Sequence, residues 1–188
     1  MINLFVFDWS GTISDDRKPV YEANMRILKL YNKPVMPFEE WLSVTGMFPQ
    51  EFFKNHGIDD DPNKLFELYK KYYTEIVKSG IKPILYDDVI PVLNHLIKNK
   101  EIAVLSSYPE ENLLKEAEDY GIISYINLIL GSSTDKVQGL IEISERLGEK
   151  SEDILYIGDT IYDIRSGKGA GTLTAAAAGT EKKTERVP

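Results

Sequence analysis

INLFVFDWSGT, residues 2–12, sets the architecture of this chain. Residues 2–7 form a nearly continuous apolar run, rich in branched and aromatic side chains, which is typical of a strand buried on both faces. Asp8 ends this run, and Gly11 follows within a short polar segment. Strands buried on both faces occur in parallel sheets that helices cover, so the stretch predicts a central strand of an α/β fold.

Further apolar runs alternate with helical patterns along the rest of the chain. They predict strands at residues 102–105, 126–130, 154–157 and, more weakly, 173–178. Apolar residues at three- and four-residue spacing predict helices at residues 89–98, 110–120 and 137–147. Strands that alternate with helices indicate a Rossmann-like, doubly wound parallel sheet with helices on both faces.

The alternation is interrupted between the first two strands. From about residue 16 to about residue 85 the pattern predicts several helices, separated by turn signals, and no convincing strand. We therefore expect an α-helical domain at residues 16–85. It would be inserted into a discontinuous α/β core formed by residues 1–15 and 86–188.

Composition excludes several classes of function. The chain of 188 residues contains no cysteine, which rules out thiolate catalysis and Cys-ligated metal sites and favours a reducing, cytoplasmic compartment. A net charge of −8 argues against binding to nucleic acid. The apolar run at residues 2–7 is too short for a secretory signal or a membrane span.

Polar residues gather where the predicted strands end. In an open parallel sheet, ligands bind at the carboxyl ends of the strands, so these residues are the candidates for a site. They fall into four sets: Asp8 to Thr12 after the first strand, Ser106 and Ser107 after the second, Lys136 before a helix, and Gly158, Asp159, Thr160 and Asp163 after the fourth.

The chemistry of phosphoryl transfer accounts for this combination of residue types. The transferred group carries dispersed negative charge, so a protein mainly has to position and neutralise it. Asp8 can attack phosphorus to form an aspartyl phosphate, Lys136 can offset the charge, and Ser106 can donate a hydrogen bond to a phosphoryl oxygen. Carboxylates that gather in one place repel each other unless a cation lies between them, and Mg²⁺ suits such ligands.

The order and spacing of these sets resemble the haloacid dehalogenase superfamily along nearly the whole chain. The family's first motif, D-x-D-G-T, corresponds to residues 8–12, and its second, a Ser or Thr after an apolar strand, to Ser106. Its third motif, a lysine, corresponds to Lys136, and its fourth, G-D-x-x-x-D, to residues 158–163. The helical insertion is similar to the small cap that closes over the active site in this family.

The resemblance implies a magnesium-dependent phosphatase for a small phosphorylated metabolite, acting as a monomer or a small homo-oligomer. Asp8, Ser10 and Lys136 would be catalytic. The metal would be held by Asp8, the Ser10 carbonyl and Asp159, with Asp163 in support. The residues expected to contact substrate or phosphate are Trp9, Gly11, Ser106, Ser107 and Lys136. The chain ends at Pro188, earlier than most relatives, so either it is naturally short or its end is missing.

Ser10 departs from the family pattern, in which a second aspartate serves as general acid and base. A serine hydroxyl has no accessible pKa for that role. Three interpretations stay open: a phosphatase for good leaving groups or with a borrowed acid, a C–P bond hydrolase similar to phosphonoacetaldehyde hydrolases, and a feeble relative that binds phosphate ligands.

Simpler structural roles are also open for several of these residues. Trp9 could contact substrate or only pack against the cap. Lys136 could be a solvated helix residue, since the family's usual proline does not follow it. Asp159 and Asp163, four residues apart, could be a helix N-cap and a first-turn acid.

Overall fold

A computed structural model describes residues 1–44 and 49–177, and of residues 49–51 the backbone only. The strands are β1 Leu4–Phe7, β2 Ser14–Asp15, β3 Ile84–Leu85, β4 Glu101–Leu105, β5 Leu128–Leu130, β6 Ile154–Gly158 and β7 Leu173–Ala176. The helices are α1 Arg17–Leu30, α2 Phe38–Val44, α3 Pro49–Asn55, α4 Pro62–Lys78, α5 Val89–Leu96, α6 Glu110–Asp119, α7 Lys136–Leu147 and α8 Ile161–Gly169. Residue 178, the predicted end of the last strand, lies outside the described residues.

The chain divides into two compact units, one formed by residues 1–15 and 84–188 and the other by residues 16–83. The sequence places residues 84–85 in the helical segment, and the structure corrects this. Ile84 and Leu85 form β3, which pairs antiparallel with Ser14 and Asp15 of β2. Each strand has only two residues, which is too short for a period-two pattern to appear in the sequence.

The first unit contains a five-stranded sheet in the order β5-β4-β1-β6-β7, with every neighbouring pair parallel. Leu4 and Val6 of β1 face a core that includes Leu140 and Ile143 of α7. Phe7 packs on the opposite face, with residues of α5 and α6. The predicted α/β fold is therefore confirmed: β1 is central and covered by helices on both faces.

The second unit is helical, and its core is rich in aromatic residues. Trp41, Phe53 and Ile27 are among its fully buried side chains. Its longest helix, α4, begins with Pro62 at its first position, and the Asp61 side chain accepts a hydrogen bond from the Asn63 backbone N–H at 2.8 Å. Proline and an aspartate cap are the favoured chemistry at this helix end. Among the described residues, no helix combines the length and the hydrophobicity needed to cross a bilayer.

Candidate active site

Three neighbouring strands of the sheet carry the candidate residues at their carboxyl ends. Ser106 follows β4, Asp8 follows β1 and Asp159 follows β6, and β1 lies between the other two strands. Because parallel strands present their carboxyl ends at one edge, these residues share that edge. This is the arrangement that the sequence predicts.

The segment after β1, residues 8–14, closes on itself as a tight loop, here named the nucleophile loop after the role that the sequence predicts for Asp8. The backbone N–H groups of Thr12, Ile13 and Ser14 all donate to the carbonyl of Trp9, at 2.8 to 3.2 Å. The N–H of Gly11 donates to the carbonyl of Ser14 at 2.8 Å. These bonds fix the loop, and with it the backbone position of Ser10.

Gly11 brings the nucleophile loop close to Asp159. Its φ of +78° is a left-handed conformation, which glycine adopts without steric cost. A β-carbon at this position would lie only 2.3 Å from Oδ2 of Asp159. The glycine predicted to contact phosphate therefore has a structural task as well, because it leaves room for the Asp159 carboxylate.

We expect Gly11→Ala to lower the free energy of unfolding by at least about 1 kcal/mol more than Gly121→Ala does, since overpacking adds a cost of that size. Gly121 is the matched control, because its φ is +69° and no atom lies within 4 Å of its added β-carbon. Both substitutions place an alanine in a strained left-handed conformation, but only Gly11→Ala displaces a carboxylate. Urea denaturation measures the difference. Equal losses of unfolding free energy in the two variants would show that the Asp159 side chain moves aside without an energetic cost.

Asp8, Lys136 and Asp163 form a buried charged cluster. The ammonium group of Lys136 donates to Oδ1 of Asp8 at 2.7 Å and to Oδ1 of Asp163 at 2.6 Å. Asp8 is 5% exposed, Lys136 7% and Asp163 0%. The interpretation of Lys136 as a solvated helix residue is therefore wrong: it is the first residue of α7, and its side chain lies between two buried carboxylates.

Burial and charge move the pKa values of this cluster in different directions. Burial raises the pKa of Asp8 to about 7, against the lowering effect of Lys136. Burial alone would lower the pKa of Lys136, but Asp8 and Asp163 raise it above its usual value. Burial alone would raise the pKa of Asp163, but Lys136 and the hydrogen bonds from Thr160 and Tyr156 hold it below its usual value. Asp163 is thus the fixed anion, and Asp8 is the carboxyl whose charge responds to its surroundings.

Asp163 accepts hydrogen bonds from four groups. Lys136 and Tyr156 donate to its Oδ1, and the backbone N–H and hydroxyl of Thr160 donate to its Oδ2. Thr160 accepts in return from the Asp163 N–H, so the two form a capping box at the start of α8. The N-cap of this helix is therefore Thr160, and the interpretation of Asp159 as the cap is wrong.

The acidic residues fit a divalent cation. Asp8, Asp159 and Asp163 each offer a carboxylate oxygen, and these atoms lie within 4.8 Å of one another. Hard oxygen donors gathered in this way suit Mg²⁺. Asp8 and Asp159 fit direct coordination better than Asp163, since a carboxylate has about four acceptor positions and those of Asp163 are already used.

The two serines after β4 differ in exposure. Ser106 is buried, and its Oγ accepts a hydrogen bond from the Tyr108 N–H at 3.2 Å, which leaves its hydroxyl hydrogen available to a ligand. Ser107 is exposed. Of the two serines predicted to bind phosphate, Ser106 is the better candidate.

The structure corrects the role predicted for Trp9. Its side chain is fully buried in the core with Ile13, Leu93 and Leu113, and its indole N–H donates to Glu116 at 2.8 Å. A fully buried side chain is not exposed to substrate, and Trp9 packs within the core of the first unit, whereas the sequence predicts either substrate contact or packing against the cap. The reason lies in the turn after β1, which directs Trp9 into the core while Asp8 stays at the sheet edge.

Two residues that join this site have no place in the sequence motifs. Tyr156 bonds to Asp163 from within β6, and Glu116 bonds to Trp9 from α6. The sequence holds one signal for Glu116: with Leu113, Ala117 and Tyr120 it falls on the apolar stripe of a helix, where a carboxylate is unusual.

The fold and this edge define the class of the protein: a Rossmann-like α/β domain with an acidic, lysine-bridged site. The model of the haloacid dehalogenase-like hydrolase family matches residues 5–177. Phosphoglycolate phosphatase of Aquifex aeolicus (strain VF5) is 26% identical over 186 residues, covering 94% of this chain and 84% of that protein. Phosphoglycolate phosphatase of Escherichia coli (strain K12) is 27% identical over 115 residues, covering 57% of this chain and 44% of that protein.

A solved structure shares the fold of this chain. A haloacid dehalogenase-like family hydrolase of Streptococcus pneumoniae superposes with a TM-score of 0.81 at 19% identity, covering 93% of this chain and 84% of that one. Because the family model matches residues 5–177, the chain belongs to the haloacid dehalogenase-like hydrolase family. The predictions of this superfamily, of its fold and of a hydrolase are confirmed.

Proposed function

We propose that this hydrolase is a magnesium-dependent phosphatase that cleaves a small phosphate monoester through an aspartyl phosphate on Asp8. The observation that carries the proposal is the lysine bridge: Lys136 contacts both Asp8 and Asp163 at the edge where Asp159 and Ser106 also lie. A carboxylate aimed at phosphorus needs a neighbouring cation to limit charge repulsion. Lys136 is placed to act in that way.

The proposed reaction has two displacements. In the first, a carboxylate oxygen of Asp8 bonds to phosphorus, and the ester oxygen leaves with the bonding electron pair and takes a proton from water, since Ser10 cannot act as the acid. In the second, water attacks the phosphoryl group and gives its proton to solvent, the bond between phosphorus and Asp8 breaks with its electron pair returning to the Asp8 carboxylate, and inorganic phosphate leaves. Ser106 would donate a hydrogen bond to a phosphoryl oxygen throughout. Mg²⁺, when bound by Asp8, Asp159 and the Ser10 carbonyl, would neutralise charge on the phosphoryl oxygens.

The assay for this proposal is hydrolysis of p-nitrophenyl phosphate and of 2-phosphoglycolate, with Mg²⁺ and with EDTA. Phosphoglycolate is included because both curated relatives described above are phosphoglycolate phosphatases. Turnover that requires Mg²⁺ would support the proposal. No turnover of either ester by folded protein would overturn it and favour the alternatives, C–P bond cleavage or the binding of phosphate ligands without turnover.

We further propose that residues 16–83 act as the family's cap and select the substrate.

Ser10 makes a testable difference within this proposal. Acid and base catalysis is worth about 10²- to 10⁴-fold, and the need for it grows as the leaving group becomes poorer. We therefore expect Ser10→Asp to raise kcat for 2-phosphoglycolate, an alkyl ester, by at least about tenfold. The gain for p-nitrophenyl phosphate should be smaller.

Ser10→Asn is the matched control, because asparagine has the size of aspartate and cannot exchange a proton. A gain in Ser10→Asp alone would identify the missing acid as rate-limiting. Equal rates in both variants, or a larger gain for the p-nitrophenyl ester, would contradict this account of Ser10.

A further inference from the structure

Tyr156 of β6 carries a hydroxyl group in an apolar part of the core. The residue is fully buried in the cluster that also contains Leu4, Val6 and Leu140. A phenylalanine would fill nearly the same space, and a buried hydroxyl costs free energy unless it has a hydrogen-bond partner. The Tyr156 hydroxyl has such a partner, because it donates to Oδ1 of Asp163 at 2.8 Å. It therefore connects the core beneath the sheet to the charged cluster at the sheet edge.

Gly158 makes room for this contact at the end of β6. Tyr156 and Gly158 are two residues apart on one strand, so their positions lie on the same face of the sheet. A β-carbon added to Gly158 would lie 2.4 Å from both Cβ and Cγ of Asp163. The Asp163 side chain thus occupies the space that a larger residue at position 158 would fill, within reach of the Tyr156 hydroxyl.

The ring of Tyr156 packs along α8, the helix that carries Asp163. A β-carbon added to Gly167 would lie 3.3 Å from Cδ1 of Tyr156, so the helix approaches the ring closely at that glycine. Gly167 follows Asp163 by four residues, which places both on one face of α8. The ring therefore contacts one turn of the helix while the hydroxyl binds the carboxylate of the turn before it, and packing fixes the direction of the hydroxyl.

Asp163 is held through both of its carboxylate oxygens. Oδ2 accepts from the backbone N–H of Thr160 at 3.0 Å and from the Thr160 hydroxyl. Oδ1 accepts from Tyr156 and from the ammonium group of Lys136. Partners on both oxygens fix the plane of the carboxylate, so the bond from Tyr156 also determines where Oδ1 meets Lys136.

The placement of Lys136 matters because its ammonium group is shared by two carboxylates. It donates to Oδ1 of Asp163 at 2.6 Å and to Oδ1 of Asp8 at 2.7 Å. An ammonium group has three hydrogens, so two bonds to fixed acceptors also set the direction of the third. The hydrogen bond from Tyr156 stabilises the Asp163 anion as well, which leaves more of the Lys136 charge to Asp8.

We propose that Tyr156 is a positioning residue that acts through Asp163 to hold the Lys136 ammonium group against Asp8. The catalytic consequence rests on the proposed function, because it concerns the charge that Lys136 offsets when Asp8 attacks phosphorus. The structural part, that the Tyr156 hydroxyl determines the placement of Lys136, is independent of turnover.

The first test is kinetic. Tyr156→Phe removes the hydroxyl and keeps the ring. Misplacement of catalytic groups by about 1 Å costs on the order of 10²-fold, so the loss of one restraint should lower kcat for p-nitrophenyl phosphate by about tenfold while KM changes little. Tyr125→Phe is the matched control, because the Tyr125 hydroxyl also donates to a side-chain oxygen, Oδ1 of Asn94 at 3.0 Å, but lies ahead of β5 at the amino edge of the sheet. It should leave kcat and KM unchanged.

The second test uses nuclear magnetic resonance of metal-free protein labelled with ¹⁵N-lysine and does not depend on activity. Protons of buried, hydrogen-bonded groups exchange slowly, so the Lys136 ammonium group should give a resolved signal, identified by its absence from Lys136→Met. This signal should shift in Tyr156→Phe and stay in place in Tyr125→Phe. In the wild type, the Tyr156 hydroxyl proton should show a nuclear Overhauser effect to the Lys136 ammonium protons, because both groups donate to the same oxygen.

The two tests separate the possible failures. A shifted Lys136 signal with unchanged kcat would overturn the positioning role and leave Tyr156 a structural residue. An unmoved signal in Tyr156→Phe would overturn the inference outright. If the wild type proves inactive, the proposed function fails, and the Lys136 signal still decides whether Tyr156 determines its placement. Should Tyr156→Phe not fold, the Overhauser effect in the wild type decides the structural part, and its absence would overturn the inference.

Discussion

Asp8→Asn is expected to lower kcat for magnesium-dependent ester hydrolysis by on the order of 10⁴-fold or more, because it removes the group that forms the covalent intermediate. Asparagine keeps the size of the side chain and can still accept a hydrogen bond from Lys136. Rapid quenching followed by mass spectrometry should show a phosphoryl group on the peptide containing Asp8 in the wild type and none in the variant. A variant with substantial turnover would remove Asp8 from the mechanism.

The stability of Asp8→Asn provides the control for that result. Burial raises the pKa of Asp8 from its ordinary value of 3.8 to about 7 in the fold. A raised pKa means that this carboxyl's contribution to stability is fully present below about pH 4 and is lost as the pH rises through about 7. At pH 8 without metal, the variant should therefore be at least as stable as the wild type in urea. A marked loss of stability would instead assign the inactivity to misfolding.

Lys136→Met is expected to lower the free energy of unfolding by about 3 to 5 kcal/mol in metal-free protein at neutral pH, and to lower kcat by about 10²-fold or more. The physical reason is that the variant leaves Asp8 and Asp163 buried without the ammonium group that contacts both. Methionine has a similar length and no charge, so the packing volume is nearly kept.

Lys115→Met is the matched control, because Lys115 is an exposed residue of α6. It should change stability by no more than about 0.5 kcal/mol, as exposed substitutions usually do. Urea denaturation at neutral and at acidic pH measures the stability of each variant against that of the wild type. If Lys136→Met were as stable as Lys115→Met, the two carboxylates would not depend on Lys136 for their burial.

The sheet and its functional edge were predictable because their signals are local. Apolar runs locate β1, β4 and β6, and the residues that follow each run must lie at the carboxyl edge of a parallel sheet. The short pair β2 and β3 was not predictable, since two residues carry no period. The N-cap of α8 was not predictable either. Asp159 and Thr160 are both good cap residues, and only the backbone geometry selects Thr160.

By itself, the sequence determined the fold, the family and the edge of the sheet that carries the acidic residues, because residue type and periodicity act within short segments. Only the tertiary structure decided which side chains meet. It placed Trp9 against Glu116, 107 residues away, and Lys136 against Asp8, 128 residues away. The spacing of apolar residues along α6 predicts which face of the helix turns inward. The partner of a carboxylate on that face depends on how distant segments pack. That packing makes Trp9 a core residue, Lys136 a buried bridge and Glu116 the hydrogen-bond acceptor of the Trp9 indole.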